Sequence, residues 1–121
     1  MTYTTRLSTT RRKPLAVPSR PATLARSLAR LEREHVALLL ALSELEATVG
    51  APTTDGALRA ALAPLLRGDL RSTQYALRRA DAGLYGVCDG CGRSIAARRL
   101  ELNPASTRCS ACEAHARAWP R

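Results

Sequence analysis

Leu24, Leu28, Leu31, His35, Leu38, Leu42, Leu45 and Val49 follow one another at intervals of 4-3-4-3-4-3-4. Only a helix brings such positions onto one edge, and this alternation of threes and fours is the seam of a coiled coil. A helix with an apolar seam needs a partner to cover it. This one is predicted to begin between Ser19 and Thr23, where a hydroxyl can cap the free amides and Pro21 suits the first turn. Gly50 and Pro52 stop it. At 1.5 Å per residue it is roughly 42 Å long.

The partner follows in the same chain. After the turn-forming stretch Gly50-Ala51-Pro52-Thr53-Thr54-Asp55-Gly56, the seam returns at Leu66, Leu70, Thr73, Leu77, Ala80 and Leu84. Thr53, Thr54 or Asp55 can cap this second helix. Leu58 and Leu62 precede the seam slightly out of phase, and Pro64, between Leu62 and Leu66, is predicted to kink or restart the helix. Gly83 and Gly86 end it near Ala82. Two helices of matched length joined by a short turn form an antiparallel hairpin. The absence of Phe and the single Trp fit such a thin core.

Charge is uneven along the chain. Of the net +9, residues 1–21 contribute Arg6, Arg11, Arg12, Lys13 and Arg20 against no acid. This stretch is rich in Ser, Thr, Arg and Pro, has no period, and reads as a disordered basic tail. Such a tail attracts nucleic acid or acidic protein faces non-specifically. The longest apolar run, Val36–Leu42, is too short to span a membrane, and no apolar segment of a secretory signal is present. A cytoplasmic chain is expected.

All four cysteines lie in one stretch, as Cys88/Cys91 and Cys109/Cys112 with seventeen residues between the pairs. Each C-x-x-C knuckle turns two thiolates toward one point, and Gly92 after Cys91 permits the positive φ of that turn. The spacing suits one tetrahedral four-sulfur site, and one structural Zn2+ held by Cys88, Cys91, Cys109 and Cys112 is predicted. A rubredoxin-type iron site is the alternative. Disulfides fit poorly in a chain without secretory marks, and a redox motif would need only one pair. His115 reads as a helix-surface residue and His35 as a seam residue. A closed four-sulfur site leaves no position for water or substrate, no nucleophile or phosphate-loop motif is present, and no catalytic residue is assigned.

The stretch from Tyr85 to Cys112 resembles the zinc-finger signature of the DksA/TraR family of bacterial transcription regulators. The matching residues are Tyr85-Gly86-Val87-Cys88, Cys91-Gly92, Ile95 with Arg99-Leu100, and Pro104 with Cys109 and Cys112. The resemblance implies a binding protein that is not an enzyme. It would bind RNA polymerase directly, inserting the hairpin tip into the secondary channel to modulate initiation, with the zinc end at the rim. The family's tip motif D-x-x-D-x-A is half kept: Asp55 and Ala57 match its end, and Pro52 replaces the first Asp. From Ala57 to Cys88 the chain is shorter than the long members by about one heptad, a deletion that keeps the seam in phase. Some members also bind guanosine tetraphosphate through basic residues. The corresponding places here are Ser72, Asn103 and Glu113, none of them basic; Arg71, Arg99 or Arg108 are the available substitutes, and no binding of this ligand is assigned.

The expected architecture is all-α: a basic tail over 1–21, an antiparallel coiled-coil hairpin over 22–83 with its tip near 50–57, and a four-cysteine zinc finger with a short C-terminal helix over 84–121. It is read as a monomer. The alternative function is a zinc-stabilised basic nucleic-acid-binding protein or structural adaptor, using the tail with Arg93, Arg98, Arg99 and Arg108. It lacks stacking aromatics and a recognisable reading helix.

Overall fold

The computed structural model describes residues 20–47 and 56–118. Among the described residues four helices occur in this order: α1 (Arg20–Ala47), α2 (Gly56–Asp81), α3 (Ala97–Leu102) and α4 (Ser110–Ala118). Helices α1 and α2 pack along each other, and α3 packs against α1. Among the described residues there is no strand, only an isolated antiparallel bridge between Val87 and Ser94. The all-α hairpin with a cysteine segment at its foot is therefore observed.

The predicted seam is the packed edge as far as Ala80; Leu84, its last member, lies beyond α2 and is exposed. Leu24, Leu28, Leu38, Leu42 and Leu45 are half-buried on α1, and Leu31 is fully buried. On α2, Leu66, Leu70, Leu77 and Ala80 are half-buried, whereas Thr73 and Ala76 are buried. Leu58 and Leu62, out of phase with the seam, are exposed. Thr23 and Ser27 are also buried, so the hairpin core near its feet is built mostly of small side chains. Leu31 is the large exception, which accords with the scarcity of aromatic residues.

His35 and Thr73 face each other across the seam, with Nδ1 and Oγ1 3.0 Å apart. Thr73 gives its one hydroxyl proton to the Leu70 carbonyl at 2.9 Å. It must therefore accept from His35, which places the imidazole proton on Nδ1. A polar pair at one seam level favours a single register, because any slip leaves both groups unpaired in a partly dry place. Arg67 and Glu46 add an exposed pair across the hairpin at 3.1 Å, worth at most about 1 kcal/mol.

Pro64 does not restart the helix, one of the two outcomes the sequence predicts. Helix α2 runs through it unbroken from Gly56 to Asp81. The proline removes one amide donor near the start of the helix, at an exposed position where water can serve the Ala60 carbonyl. The end of α2 follows the expected glycine signal. Leu84 N–H donates to the Arg79 carbonyl at 2.8 Å, Gly83 N–H donates to Ala80 at 2.9 Å, and Gly83 has φ +77°. This is a Schellman termination, which leaves the chain pointed back toward α1. Val49, Gly50, Pro52 and the capping residues Thr53, Thr54 and Asp55 lie outside the described residues. Of the tip, Gly56 and Ala57 are described, both exposed in the first turn of α2.

Candidate metal centre

The first cysteine pair sits on a small knuckle. Cys88 N–H donates to the Arg93 carbonyl at 2.8 Å, Gly92 N–H to Cys88 at 3.0 Å, and Ile95 N–H to Gly86 at 2.8 Å. Gly92 takes φ +76°, as its position after Cys91 predicts. Gly90 matters for a different reason: a Cβ there would lie 3.1 Å from Cys112 Sγ. The second pair is presented by a helix start. Cys109 precedes α4, and Cys112 occupies its first turn. Asp89 N–H donates to the Thr107 carbonyl at 2.8 Å and joins the two halves.

The four Sγ atoms of Cys88, Cys91, Cys109 and Cys112 all lie within 4.8 Å of one another. Cys91 and Cys109 Sγ are 3.8 Å apart. Zinc–sulfur bonds of about 2.3 Å in a tetrahedron place the sulfurs about 3.8 Å apart. Residues 88 to 112 therefore fit one ion with four sulfur ligands.

Backbone amides prepare the sulfurs for charge. Gly90 N–H and Cys109 N–H point at Cys88 Sγ, at 3.3 and 3.2 Å, and Cys112 N–H points at Cys109 Sγ at 3.4 Å. Burial opposes ionisation of Cys88, but the amides of Cys109, Cys91 and Gly90 outweigh it and bring the thiol down to about 6. Cys112 is pushed up to about 12, by its hydrogen bonds to Cys109, Cys88 and Cys91 first and by burial after them. Without a cation, four sulfurs this close cannot all be anionic, so metal capture must expel protons. The sign follows. At neutral pH Cys112 holds its proton, and binding must remove it. Zinc affinity should therefore fall at least about tenfold per pH unit as pH drops, steepening by about another tenfold per unit below the Cys88 value. Competition against a chromophoric chelator from about pH 5 to about pH 8 reads this slope. A flat profile would contradict it.

The knuckle is also the anchor for the hairpin feet. Cys88, Ile95 and Leu100 form a buried cluster against which Leu24, Tyr85, Cys109 and Cys112 pack. Arg20 donates to the Ile95 carbonyl at 3.0 Å and to the Gly86 carbonyl at 3.2 Å, fixing the start of α1 to the finger. Arg79 on α2 donates to Val87 at 3.0 Å, and Arg30 on α1 donates to Glu101 at 2.6 Å. Tyr85 donates to the buried Pro104's carbonyl at 2.8 Å. Burial, helped by the Glu34 charge and opposed by Arg30, raises that phenol to about 12, so it stays a donor. Asp89 accepts from Tyr75 at 3.0 Å and pairs with Arg108 at 3.3 Å.

Arg20, Asp89 and Gly90 were not singled out as site residues by sequence. Asp89 and Gly90 lie inside the C-x-x-C pair, which is the one readable signal for them. Ser72, Asn103 and Glu113 do come together, lining one cleft between hairpin and finger. Glu34, Asp69 and Asp89 line it too, together with Arg99 and Arg108. His115 is exposed on α4 and is not among the clustered ligand atoms. Ala57 is far along α2 from the cysteines, and Asp55 lies outside the described residues.

These features define a helical hairpin closed at its foot by a four-cysteine metal finger. Residues 83–115 match the prokaryotic dksA/traR C4-type zinc finger, so the resemblance noted in the sequence is shown for this segment, and its cofactor is one structural zinc ion. Among solved structures, that of transcription factor DksA2 from Pseudomonas aeruginosa is similar, at 24% identity over 78% of this chain and 78% of that chain, with a TM-score of 0.49. Among curated proteins none matches. Among the described residues no helix is long and apolar enough to cross a membrane.

Proposed function

We propose that this chain is a cytoplasmic transcription regulator that binds RNA polymerase directly and acts without catalysing a reaction. Its hairpin enters the secondary channel, tip first, and modulates initiation. Cys88, Cys91, Cys109 and Cys112 are the zinc ligands, and Asp55 with Ala57 forms the polymerase-contacting tip. The observation that carries the reading is the dksA/traR-type finger at residues 83–115, directly at the foot of a two-helix hairpin. The Arg20, Arg79 and Arg30 bonds support it further, because they tie both helices to the finger and would let the hairpin move as one probe.

Capture of polymerase by the purified full chain, beside duplex DNA, at rising salt tests this. Polymerase should be retained at salt that strips DNA, since binding through phosphates alone falls steeply with ionic strength. Asp55→Asn keeps a helix cap but removes the anion. That variant should still be captured by polymerase and should lose most of its effect on initiation in a reconstituted transcription assay. DNA capture with no polymerase capture would favour the basic nucleic-acid-binding alternative. Wild-type regulation by Asp55→Asn would remove the tip from the account.

A further inference from the structure

Helix α1 carries apolar residues outside the seam that α2 covers. Val36, Leu39 and Leu40 are 54%, 43% and 62% exposed. Single exposed apolar side chains are ordinary, but a group of them on one face marks a contact surface. The register locates that face. Glu46 and Arg67 pair across the hairpin at 3.1 Å and so mark one of its edges. Leu39 stands seven residues before Glu46, which places it on the same edge of α1. The finger covers the other edge, where Thr23 and Ser27 are buried and Arg30 donates to the Glu101 carbonyl.

Arginines flank the patch on both sides. His35 faces Thr73, so in the antiparallel hairpin Leu39 stands level with residue 69, and Arg67 and Arg71 bracket it from α2. Arg33 stands seven residues before Leu40, on the outer flank of α1. Arg67 is engaged by Glu46, whereas Arg33 and Arg71 have no ion pair among the described residues. Between Glu32 and Glu44 the only acid of α1 is Glu34, which lines the cleft on the finger side. The patch therefore has unanswered positive charge on either flank. It suits a helix whose apolar edge is bordered on both sides by carboxylates. Nucleic acid has no use for the leucines. Glu32 and Glu46, which bound the patch at its two ends, oppose an anionic membrane surface.

We propose that Val36, Leu39 and Leu40, with Arg33 and Arg71, form a docking face for an acidic amphipathic helix of another protein. That helix packs along the hairpin as a third helix, opposite the finger. The contact is small, so weak binding is expected, with a Kd on the order of tens of micromolar. Such docking does not depend on the hairpin's entering polymerase.

A labelled synthetic helical peptide with Leu at a and d and Glu at e and g, titrated with the zinc-loaded full chain, tests this by fluorescence anisotropy. Like charges keep such a peptide from pairing with itself. It should bind about tenfold or more tightly than the same peptide with Lys in place of Glu. Leu39→Gln with Leu40→Gln should weaken binding about tenfold or more, with helical circular dichroism and zinc content unchanged. Arg33→Glu with Arg71→Glu should lower the preference for Glu flanks severalfold. No binding of the Glu peptide, equal binding of both peptides, or an unaltered preference in the arginine variant would overturn the proposal. So would binding that survives loss of the leucines, the result expected if the basic N-terminal stretch alone attracted the peptide. Self-association of the chain, or capture by phosphatidylglycerol vesicles, lost with the leucines while the peptide fails to bind, would give the face another occupant and overturn it as well.

Discussion

Cys88→Ser is expected to empty the metal site and cost at least about 3 kcal/mol, because in small metal fingers the binding energy is folding energy. Cys88 is the ligand with most invested in it. It is buried at 2% exposure, accepts from the Gly90 and Cys109 amides, and belongs to the cluster with Ile95 and Leu100. A serine hydroxyl has no thiolate to offer, and two positively polarised amides would lose their anionic partner. The finger should lose its fixed structure, and the feet of α1 and α2 should fray, since Arg20 and Arg79 bond to carbonyls of the knuckle. Zinc content by mass spectrometry should fall from one per chain to near zero. The thermal midpoint should fall by roughly 10–20 °C. A variant that keeps one zinc and the wild-type midpoint would show that the sulfurs do not act as the geometry implies.

Gly86→Ala should show that finger and hairpin are one packed unit. Gly86 is buried with φ +83°, where an L side chain costs about 1–2 kcal/mol. Its added Cβ would also lie 3.1 Å from Leu24 Cδ2 and 3.3 Å from Arg20 Nη2, both on α1. Those side chains must give way, and the Arg20 bond to the Gly86 carbonyl weakens with them. A total of about 2–4 kcal/mol is expected. Gly83 provides the control. It has φ +77° and nothing within 4 Å of its added Cβ, so Gly83→Ala should cost only the conformational part, about 1–2 kcal/mol. Chemical denaturation of the zinc-loaded proteins measures both. Equal losses at the two positions would mean that α1 does not press on the knuckle.

The seam and the cysteine pairs were legible because each rests on spacing alone. A heptad of leucines has one geometric solution, and so do two C-x-x-C pairs meeting at one ion. What was not legible depends on tertiary neighbours. Helix α3, over Ala97–Leu102, is too short to show a period, and only the burial of Leu100 beside Ile95 reveals why it forms. By local rule Pro64 kinks or restarts a helix; the helix does not restart, because the proline removes only one amide from an exposed turn of a helix held by its seam. Arg20 looked like one more charge of the tail. Its use as a clamp depends on two carbonyls more than sixty residues away, which no local pattern encodes. The cleft, likewise, joins residues of both hairpin helices and the finger.

Hydrogen exchange of the full chain, zinc-loaded and after chelation, tests the central claim most directly, because it reads local opening residue by residue. The account predicts slow exchange in the zinc-loaded protein through Cys88–Asn103 and at both feet, around Leu24–Leu31 and Thr73–Ala82. On chelation that protection should vanish in the finger and drop sharply at the feet, with the middle of the hairpin around Leu38 and Leu70 little changed. Feet that exchange at the same rate with and without metal would contradict it.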